Sequence, residues 1–224
     1  MSQNRAAERL TAEPEPRARI GRSERTRAEI LDAAFAFLWS RPFREMTVNS
    51  LMQTTSISRS AFYRYFEDVH GLMETLLTTL EAEILEGASP WFSDDGDPVA
   101  LLYQTLEAQV RICYRRGPFL KAVSDAAGTD ARLEVAWHRL FDRFDDAVSE
   151  RIAADQALGL IEAFDPGLVA SALNRSDAYT FIKCFGQRPR SCPEPVLEAN
   201  ARLWISSLYG QQWVTSRTST LRRD

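Results

Sequence analysis

The sequence predicts an all-α protein of about nine helices. Apolar residues recur at three- and four-residue spacing along most of the chain, whereas no segment alternates apolar and polar residues as a half-buried strand does. Clusters of Pro, Gly and Asp interrupt this periodicity where helices would end. At 224 residues, with 45% hydrophobic and 26% charged, the chain can bury a sizeable core and has an ordinary globular composition.

The chain opens with a segment that is poor in apolar residues. Residues 1–22 contain Glu-Pro-Glu-Pro and several arginines, so we predict a disordered basic arm. Its arginines, Arg22 among them, suit contact with DNA phosphate or a minor groove, and a solvated tail is the alternative. From Ser23 the pattern becomes helical, with one apolar face, and Arg41-Pro42 ends this helix because the residue before proline disfavours helical geometry.

The segment from Thr47 to Phe66 predicts two short helices joined by a tight corner. Thr47 and Ser58 can each cap a helix through a hydroxyl that accepts a free backbone N–H. In the second helix, apolar and aromatic residues point inward at helical spacing. The outward face carries Arg59, Ser60, Tyr63 and Arg64. Such a face suits a DNA major groove, so we predict a helix-turn-helix with Ser58 to Phe66 as its recognition helix.

The exposed residues of this motif suggest individual roles at DNA. The Arg59 guanidinium matches the two acceptors on a guanine edge, so Arg59 is the candidate for base reading. Tyr63 and Thr47 are candidates for phosphate contact. Ser58, Ser60 and Arg64 suit either role. The alternative for all of them is an ordinary surface helix.

At these residues the chain resembles the TetR (tetracycline-repressor) family of bacterial regulators. The resemblance rests on I-S-R-S-A-F-Y-R-Y-F at 57–66 and T-V-N-S-L at 47–51, and it extends over about residues 23–85. A second stretch, L-W-I-S-S-L-Y-G at 203–210, is similar to the last helix of the ethionamide-regulator type. The resemblance implies a DNA-binding domain over 23–70, a larger ligand-binding and dimerisation domain over 71–215, and a flexible tail over 216–224.

Two pairs of residues depart from the family pattern. Thr55-Ser56 replaces the usual Ala-Gly of the turn, and serine does not take a positive φ as freely as glycine. Asp68-Val69 replaces the usual Ser-Lys at the start of the next helix, which removes an expected phosphate contact. That role is expected to pass to His70 or to N-terminal arginines such as Arg22 and Arg25.

The remaining helices are predicted between Gly- and Pro-rich breaks. Asp68 can cap the first of them, and Gly87 to Pro90 is expected to end it. Gly117-Pro118 is likewise expected to separate two helices. The predicted ranges are about 68–86, 99–116, 119–127, 130–157, 165–185 and 195–213.

The last two long helices predict a homodimer. Each carries a stripe too broad and too mixed for one intramolecular contact, which suits an isologous four-helix interface, and the resemblance implies the same dimer. A two-fold axis would place two recognition helices about 34 Å apart on a palindromic operator. Simple core packing is the alternative. The candidate interface residues are Leu168, Ala172, Tyr179, Asn200, Leu203, Trp204, Ser207, Leu208 and Gln211.

A ligand pocket is indicated by two polar residues one turn apart in an otherwise apolar helix, Asn174 and Asp177. The resemblance implies that this helix lines an elongated, mostly apolar cavity for a small effector. Tyr103, Trp137 and Phe181 are the further candidates for its lining. For each of these residues, a place in the core or at the surface is the alternative.

Charge and composition exclude several other classes. The net charge is −4, but residues 17–66 hold nine arginines against four acids, a local +5 that leaves −9 for the rest. No apolar run is long enough for a membrane helix and no signal peptide opens the chain, so we expect a cytoplasmic protein. Three cysteines without metal-ligand spacing predict reduced thiols.

No catalytic motif stands out in the sequence. His70 and His138, the two histidines, lie far apart, and we find no Ser-His-Asp order, phosphate loop or metal-ligand cluster. The chain is therefore predicted not to be an enzyme and to need no metal or cofactor.

Together these observations predict a dimeric repressor that binds a palindromic operator and is released by a small apolar effector. Transcriptional activation is one alternative. A helical small-molecule binding protein or an enzyme with a structural helix-turn-helix is another, and a DNA architectural protein without sequence preference is a third.

Overall fold

A computed structural model describes residues 21–93 and 96–210 of the chain. Over these ranges it contains eight α-helices, one short 3-10 helix (Phe43–Glu45) and no strand, so the all-α prediction is confirmed. Residues 1–20 of the predicted arm and all of the predicted tail lie outside the described residues. The helices are α1 (Arg22–Leu38), α2 (Val48–Met52), α3 (Arg59–Phe62), α4 (Val69–Ser93), α5 (Pro98–Ala127), α6 (Ala131–Ala157), α7 (Pro166–Phe185) and α8 (Pro193–Tyr209).

Both predicted caps of the helix-turn-helix form. Thr47 and Ser50 cap α2 reciprocally: the Thr47 hydroxyl accepts from the Ser50 N–H at 3.0 Å, and the Ser50 hydroxyl accepts from the Thr47 N–H at 2.9 Å. The Ser58 hydroxyl accepts from the Ala61 N–H at 3.2 Å at the start of α3. These bonds satisfy N–H groups that the helices cannot satisfy internally.

The turn between α2 and α3 is built by hydroxyl groups rather than by a glycine. No non-glycine residue in the described ranges has a positive φ, so Ser56 avoids the conformation that would favour glycine. The Thr54 hydroxyl donates to the Leu51 carbonyl at 2.7 Å, and the Thr55 hydroxyl accepts from the Ile57 N–H at 3.1 Å. These bonds hold the corner in place of the Ala-Gly that the family pattern predicts.

The recognition segment is less regular than predicted. Regular α-helix covers Arg59–Phe62, and the chain then tightens, with the Tyr65 N–H bonding to the carbonyl of Phe62 three residues earlier. The aromatic side chains still anchor the segment, because Phe62 and Phe66 are buried.

The predicted end of α4 at Gly87 to Pro90 is wrong. The helix continues to Ser93 because its apolar stripe continues through Ala88 to Trp91, whose side chain is only 1% exposed. Gly87 lies against α5, where an added Cβ would stand 3.2 Å from the Cβ of Ala108. Helix packing therefore overrides the local breaking tendency.

The predicted break at Gly117-Pro118 is also wrong, since α5 runs through both residues. Proline has no N–H, so the carbonyl of Tyr114, four residues earlier, loses its helical partner. The Arg190 guanidinium replaces that partner: its Nη1 donates to the Tyr114 carbonyl at 2.7 Å, and the group stacks 3.7 Å from the centre of the Tyr114 ring. Gly117 admits the α7 backbone, because a Cβ there would lie 2.2 Å from the Phe185 carbonyl oxygen.

Helix α5 is the centre of the molecule. It packs against α4, α6, α7 and α8 of the body and also against α1 of the N-terminal unit. One hydrophobic cluster runs from the buried faces of α1 to α3 into α4, α5 and α7. The helix-turn-helix unit therefore shares its core with the body. A second cluster lies in the body and includes the first turns of α5 and α7 and the second half of α8.

We predict that Arg190→Ala destabilises the protein by about 1 kcal/mol, because it leaves the half-buried Tyr114 carbonyl without a donor. The loss should be smaller in a Pro118→Ala background, where the restored N–H can bond to that carbonyl. Thermal unfolding of the wild type, both single variants and the double variant gives the coupling energy.

Arg188→Ala is the matched control, because Arg188 also stacks on Trp39, at 4.8 Å from the ring centre. Equal losses from Arg190→Ala with and without Pro118 would show that the guanidinium acts through stacking alone.

Candidate DNA-binding surface and effector cavity

The exposed face of α3 and its following turn consists of Arg59, Ser60, Tyr63 and Arg64, which we call the α3 edge. Tyr63 is 59% exposed although it is aromatic, because the inward positions are already filled by Phe62 and Phe66. No ion pair engages Arg59 or Arg64 among residues 21–93 and 96–210. The edge thus presents two guanidinium groups without an ion-pair partner among the described residues, a phenol and a hydroxyl on one exposed surface.

Further predicted DNA contacts lie next to this edge. Ser58 and Thr47 are exposed at the N-terminal ends of α3 and α2. The Ser23 hydroxyl donates to the Tyr65 hydroxyl at 3.2 Å, which fixes the start of α1 beside the end of the recognition segment. Arg22 and Arg25, both exposed, belong to that first turn of α1.

His70 was predicted to contact DNA phosphate, but its side chain contacts the protein itself. Its Nε2 lies 2.5 Å from Asp130 Oδ2, and its ring packs edge-on against Phe43. Asp130 also caps α6 by accepting from the Leu133 N–H. Beside this pair, Arg132 of α6 bonds to Asp68 at 2.8 Å. His70 therefore connects the start of α4 to the body and is half-buried there.

The predicted dimer residues divide into two sets. Leu168 (72% exposed), Tyr179 (68%) and Leu203 (40%) project from α7 and α8 together with Ala172 and Ser207, and we call this surface the α7–α8 face. By contrast, Asn200, Trp204 and Leu208 of α8 are buried inside the protomer, so they add nothing to that surface. Gln211 lies outside the described residues.

A small cavity of about 30 Å³ lies among α4 to α8. Its walls are largely apolar: aliphatic side chains and the four aromatic residues Trp91, Phe92, Phe144 and Trp204 surround it, with the polar side chains of Thr105, Gln109 and Asn174 among them. Asn174 donates to Asp145 Oδ1 at 2.8 Å. The volume matches about one water molecule, so anything larger must part the surrounding helices.

Asp177 lies one turn beyond Asn174 on the same face of α7. It is 1% exposed, and neither carboxyl oxygen has a hydrogen-bond partner among the described residues. Burial raises the pKa of Asp177 to about 7, and the indole N–H of Trp204, close by but out of bonding geometry, only partly opposes this. Thr105 Oγ1, Asn200 Nδ2 and Trp204 Nε1 also lack partners in the described part of the chain.

The other predicted lining residues lie elsewhere. The Tyr103 hydroxyl donates to Glu198 at 3.1 Å between α5 and α8. Trp137 packs edge-on against Phe141 along α6, and Phe181 stacks on Phe185 in the core. The sequence reasoning missed Trp91 and Thr105. Trp91 follows the stripe of α4 past its supposed end, and Thr105 is a polar residue on the apolar face of α5.

A larger groove of about 770 Å³ separates the helix-turn-helix unit from the body. Charged side chains line it, and several of them neutralise one another, as in the pairs Lys121–Asp125 and His70–Asp130. Two buried side chains with an unpartnered polar atom, Thr105 and Trp204, instead line the small cavity, which makes that cavity the candidate effector site.

Other chemistries find little support in the described ranges. No group of three or more His, Cys, Asp or Glu side chains there could hold a metal ion. His138 is exposed on α6, away from His70. Among the same residues, no helix combines the length and the apolar character needed to cross a bilayer.

Comparison with known proteins places the helix-turn-helix in a defined family. Residues 30–76 match the family model described as bacterial regulatory proteins, tetR family. The transcriptional regulator EthR of Mycolicibacterium smegmatis is 24% identical over 190 residues, which cover 82% of this chain and 86% of that protein. EthR of Mycobacterium tuberculosis is 25% identical over 193 residues, 81% and 86% of the two chains.

Solved structures show the same fold over most of the chain. A TetR-family regulator from Syntrophomonas wolfei superposes with a TM-score of 0.72 at 15% identity, over 82% of this chain and 94% of that one. A complex of SmeT with triclosan superposes with a TM-score of 0.70 at 16% identity, over 83% and 92%. The helix-turn-helix thus matches the tetR-family model, and most of the chain is similar in sequence to EthR regulators and shares the fold of TetR-family structures.

Proposed function

We propose that the protein is a homodimeric repressor that binds a palindromic operator and is released by a small, mostly apolar effector. The proposal includes that it acts in the cytoplasm and catalyses no reaction. The observation that carries it is the α3 edge, where cationic and hydroxyl side chains stand exposed on a segment whose other face is fixed by buried aromatics.

The α3 edge suits both kinds of DNA contact. Arg59 occupies the first turn of α3, the part of a recognition helix that reaches base edges in a major groove. Tyr63 follows on the same side, with Thr47 and Ser58 at neighbouring helix starts, where hydroxyl and N–H groups suit phosphate oxygens. We therefore assign base reading to Arg59 and positioning to its neighbours.

The α7–α8 face supports the dimer. Exposed leucines and a tyrosine side by side are uncommon on a surface that stays in water, whereas two such helices from each protomer make a four-helix interface. A two-fold axis through this face would present two α3 edges to successive major grooves on one side of the duplex.

Helix α4 offers a route for release. At about 1.5 Å per residue, its 25 residues span about 37 Å from the recognition unit to the cavity, which it lines with Ile84, Trp91 and Phe92. An effector larger than water must displace this wall. Because α4 begins directly after the recognition segment, the displacement would change the spacing of the two α3 edges.

The aromatic walls suit an apolar effector of modest size. A structure of the same fold, SmeT, has been solved with triclosan, itself a small aromatic molecule, and this supports the proposal by analogy of fold alone.

We predict that Arg59→Ala weakens binding to the operator by about 1–3 kcal/mol and binding to random DNA far less, because a bidentate guanine contact is lost. Gel retardation with the chain's own promoter region and with random duplex, at one salt concentration, measures both affinities. Arg139→Ala, a change at an exposed arginine of α6, is the control and should leave both unchanged.

Equal losses on the two DNAs would make Arg59 a phosphate contact. If the wild type failed to retard its promoter even at low salt, a helical small-molecule binding protein would replace the repressor.

For the dimer, we expect the double change Leu168→Glu and Tyr179→Glu to give a folded monomer, because it buries opposing carboxylates in the α7–α8 face. Light scattering after size exclusion measures the mass, and circular dichroism measures the folding. Val135→Glu, at an apolar residue of α6 that is 56% exposed, is the matched control. A double variant that stays dimeric would place the interface elsewhere.

A further inference from the structure

We infer that the effector carries a positively charged nitrogen, which the Asp177 carboxylate binds beside Trp204, a residue of the cavity wall. This deepens the proposed function, on which it rests, by naming the chemical class of the effector: an organic cation with an apolar body.

The inference starts from how the other buried or half-buried carboxylates of the body are neutralised. Asp155 has Arg151 at 3.1 Å, Asp145 has Arg175 at 2.6 Å, and Glu83 has Arg116 at 2.9 Å. Each of these guanidinium groups comes from within the chain. In these three cases the body supplies a cation for the carboxyl group that it buries.

Asp177 is the exception among these carboxyl groups. It is as buried as Asp155, yet both of its oxygens lack a partner in the described ranges, and no guanidinium or ammonium acts on it. Its titratable neighbour on α5 is Cys113, whose pKa is raised by burial first and then by Asp177 and Glu83. Glu83 on α4 is already paired with Arg116. The protein therefore leaves one buried anionic position without a counter-ion.

The surroundings suit a cation brought by a ligand. Trp204 connects the cavity with Asp177, because its side chain lines the cavity and its N–H lies close to the Asp177 carboxyl group. Trp91 stands edge-on to Trp204 at 6.1 Å between ring centres, and Phe92 and Phe144 complete the aromatic wall. Aromatic faces attract cations as well as apolar groups. The Thr105 hydroxyl, which lines the cavity without a hydrogen-bond partner among the described residues, is available to a polar atom of the ligand.

The test compares two probes of the same shape. Benzyltrimethylammonium carries a permanent charge, and neopentylbenzene has carbon in place of nitrogen. At pH 8 we expect the cation to raise the melting temperature of the full-length wild type more than its neutral isostere does. The cation's affinity should fall roughly tenfold or more at pH 5.5, because Asp177, with a pKa of about 7, is then protonated.

Asp177→Asn should abolish both the preference for the cation and its pH dependence. Asp142→Asn, a change at an exposed carboxyl of α6, is the control and should keep them. The inference is overturned if the neutral isostere binds as well as the cation at pH 8, if neither probe binds, or if the preference survives in Asp177→Asn. Should that variant not fold, the pH comparison on the wild type decides alone.

Promoter retardation is measured on the same preparations. If the protein retards promoter DNA but shows no preference for the cation, this inference is rejected and the proposal of a repressor is retained. If the protein prefers the cation but does not retard promoter DNA, the proposal of a repressor is rejected and the cation site is retained.

The unliganded protein gives a separate prediction. The pKa of Asp177 is higher in the folded protein than in the unfolded chain, so the stabilising effect of its proton is complete below about pH 4 and is lost as pH rises to about 7. At pH 8 Asp177→Asn should therefore melt at a higher temperature than the wild type, with little difference at pH 4. An unchanged melting temperature at pH 8 would mean that Asp177 already has a partner, and would count against the inference.

Discussion

The contact between Arg190 and the Tyr114 carbonyl sets the relation between the two parts of the molecule. Pro118 removes the helical donor from that carbonyl, and Arg190, from the connection between α7 and α8, supplies another. The same guanidinium stacks on Trp39 at the end of α1, at 4.9 Å from the ring centre. One side chain thus joins the recognition unit, the central helix and the α7–α8 connection, and none of the three can move without disturbing it.

The shared core strengthens this constraint. Phe35 of α1 packs edge-on against Phe119 of α5, and Arg116 stacks 3.9 Å from the centre of the Phe35 ring. On the other side, Arg132 and Asp130 of α6 hold the first turn of α4. Packed cores shift between discrete arrangements rather than deform smoothly. A change at the cavity end of α4 would therefore reach the α3 edge as a shift of the whole unit.

Local chemistry explains what the sequence predicted well. The hydroxyls of Thr47 and Ser58 cap helices through bonds spanning three residues, and periodicity alone separates the buried Phe62 from the exposed Tyr63. The failures have distant causes. Gly117-Pro118 predicts the end of a helix unless it is known that Arg190 donates to the Tyr114 carbonyl, which Pro118 leaves without a partner. His70 likewise suggests a phosphate contact until the fold brings Asp130 against it. Arg190 and Asp130 are both too distant in sequence from the residues that they contact to be found by local patterns.

The candidate effector cavity was predicted in part. Asn174 and Asp177 stood out because they are polar in an apolar stripe, but nothing in the sequence distinguishes a carboxyl paired by an arginine, as Asp145 is, from one left alone. An unpaired buried carboxyl costs stability in the free protein. The proposed cation would remove that cost only in an arrangement wide enough to admit it, and would therefore favour that arrangement over the closed one. Differential affinity of this kind is what an effector needs to shift a two-state regulator.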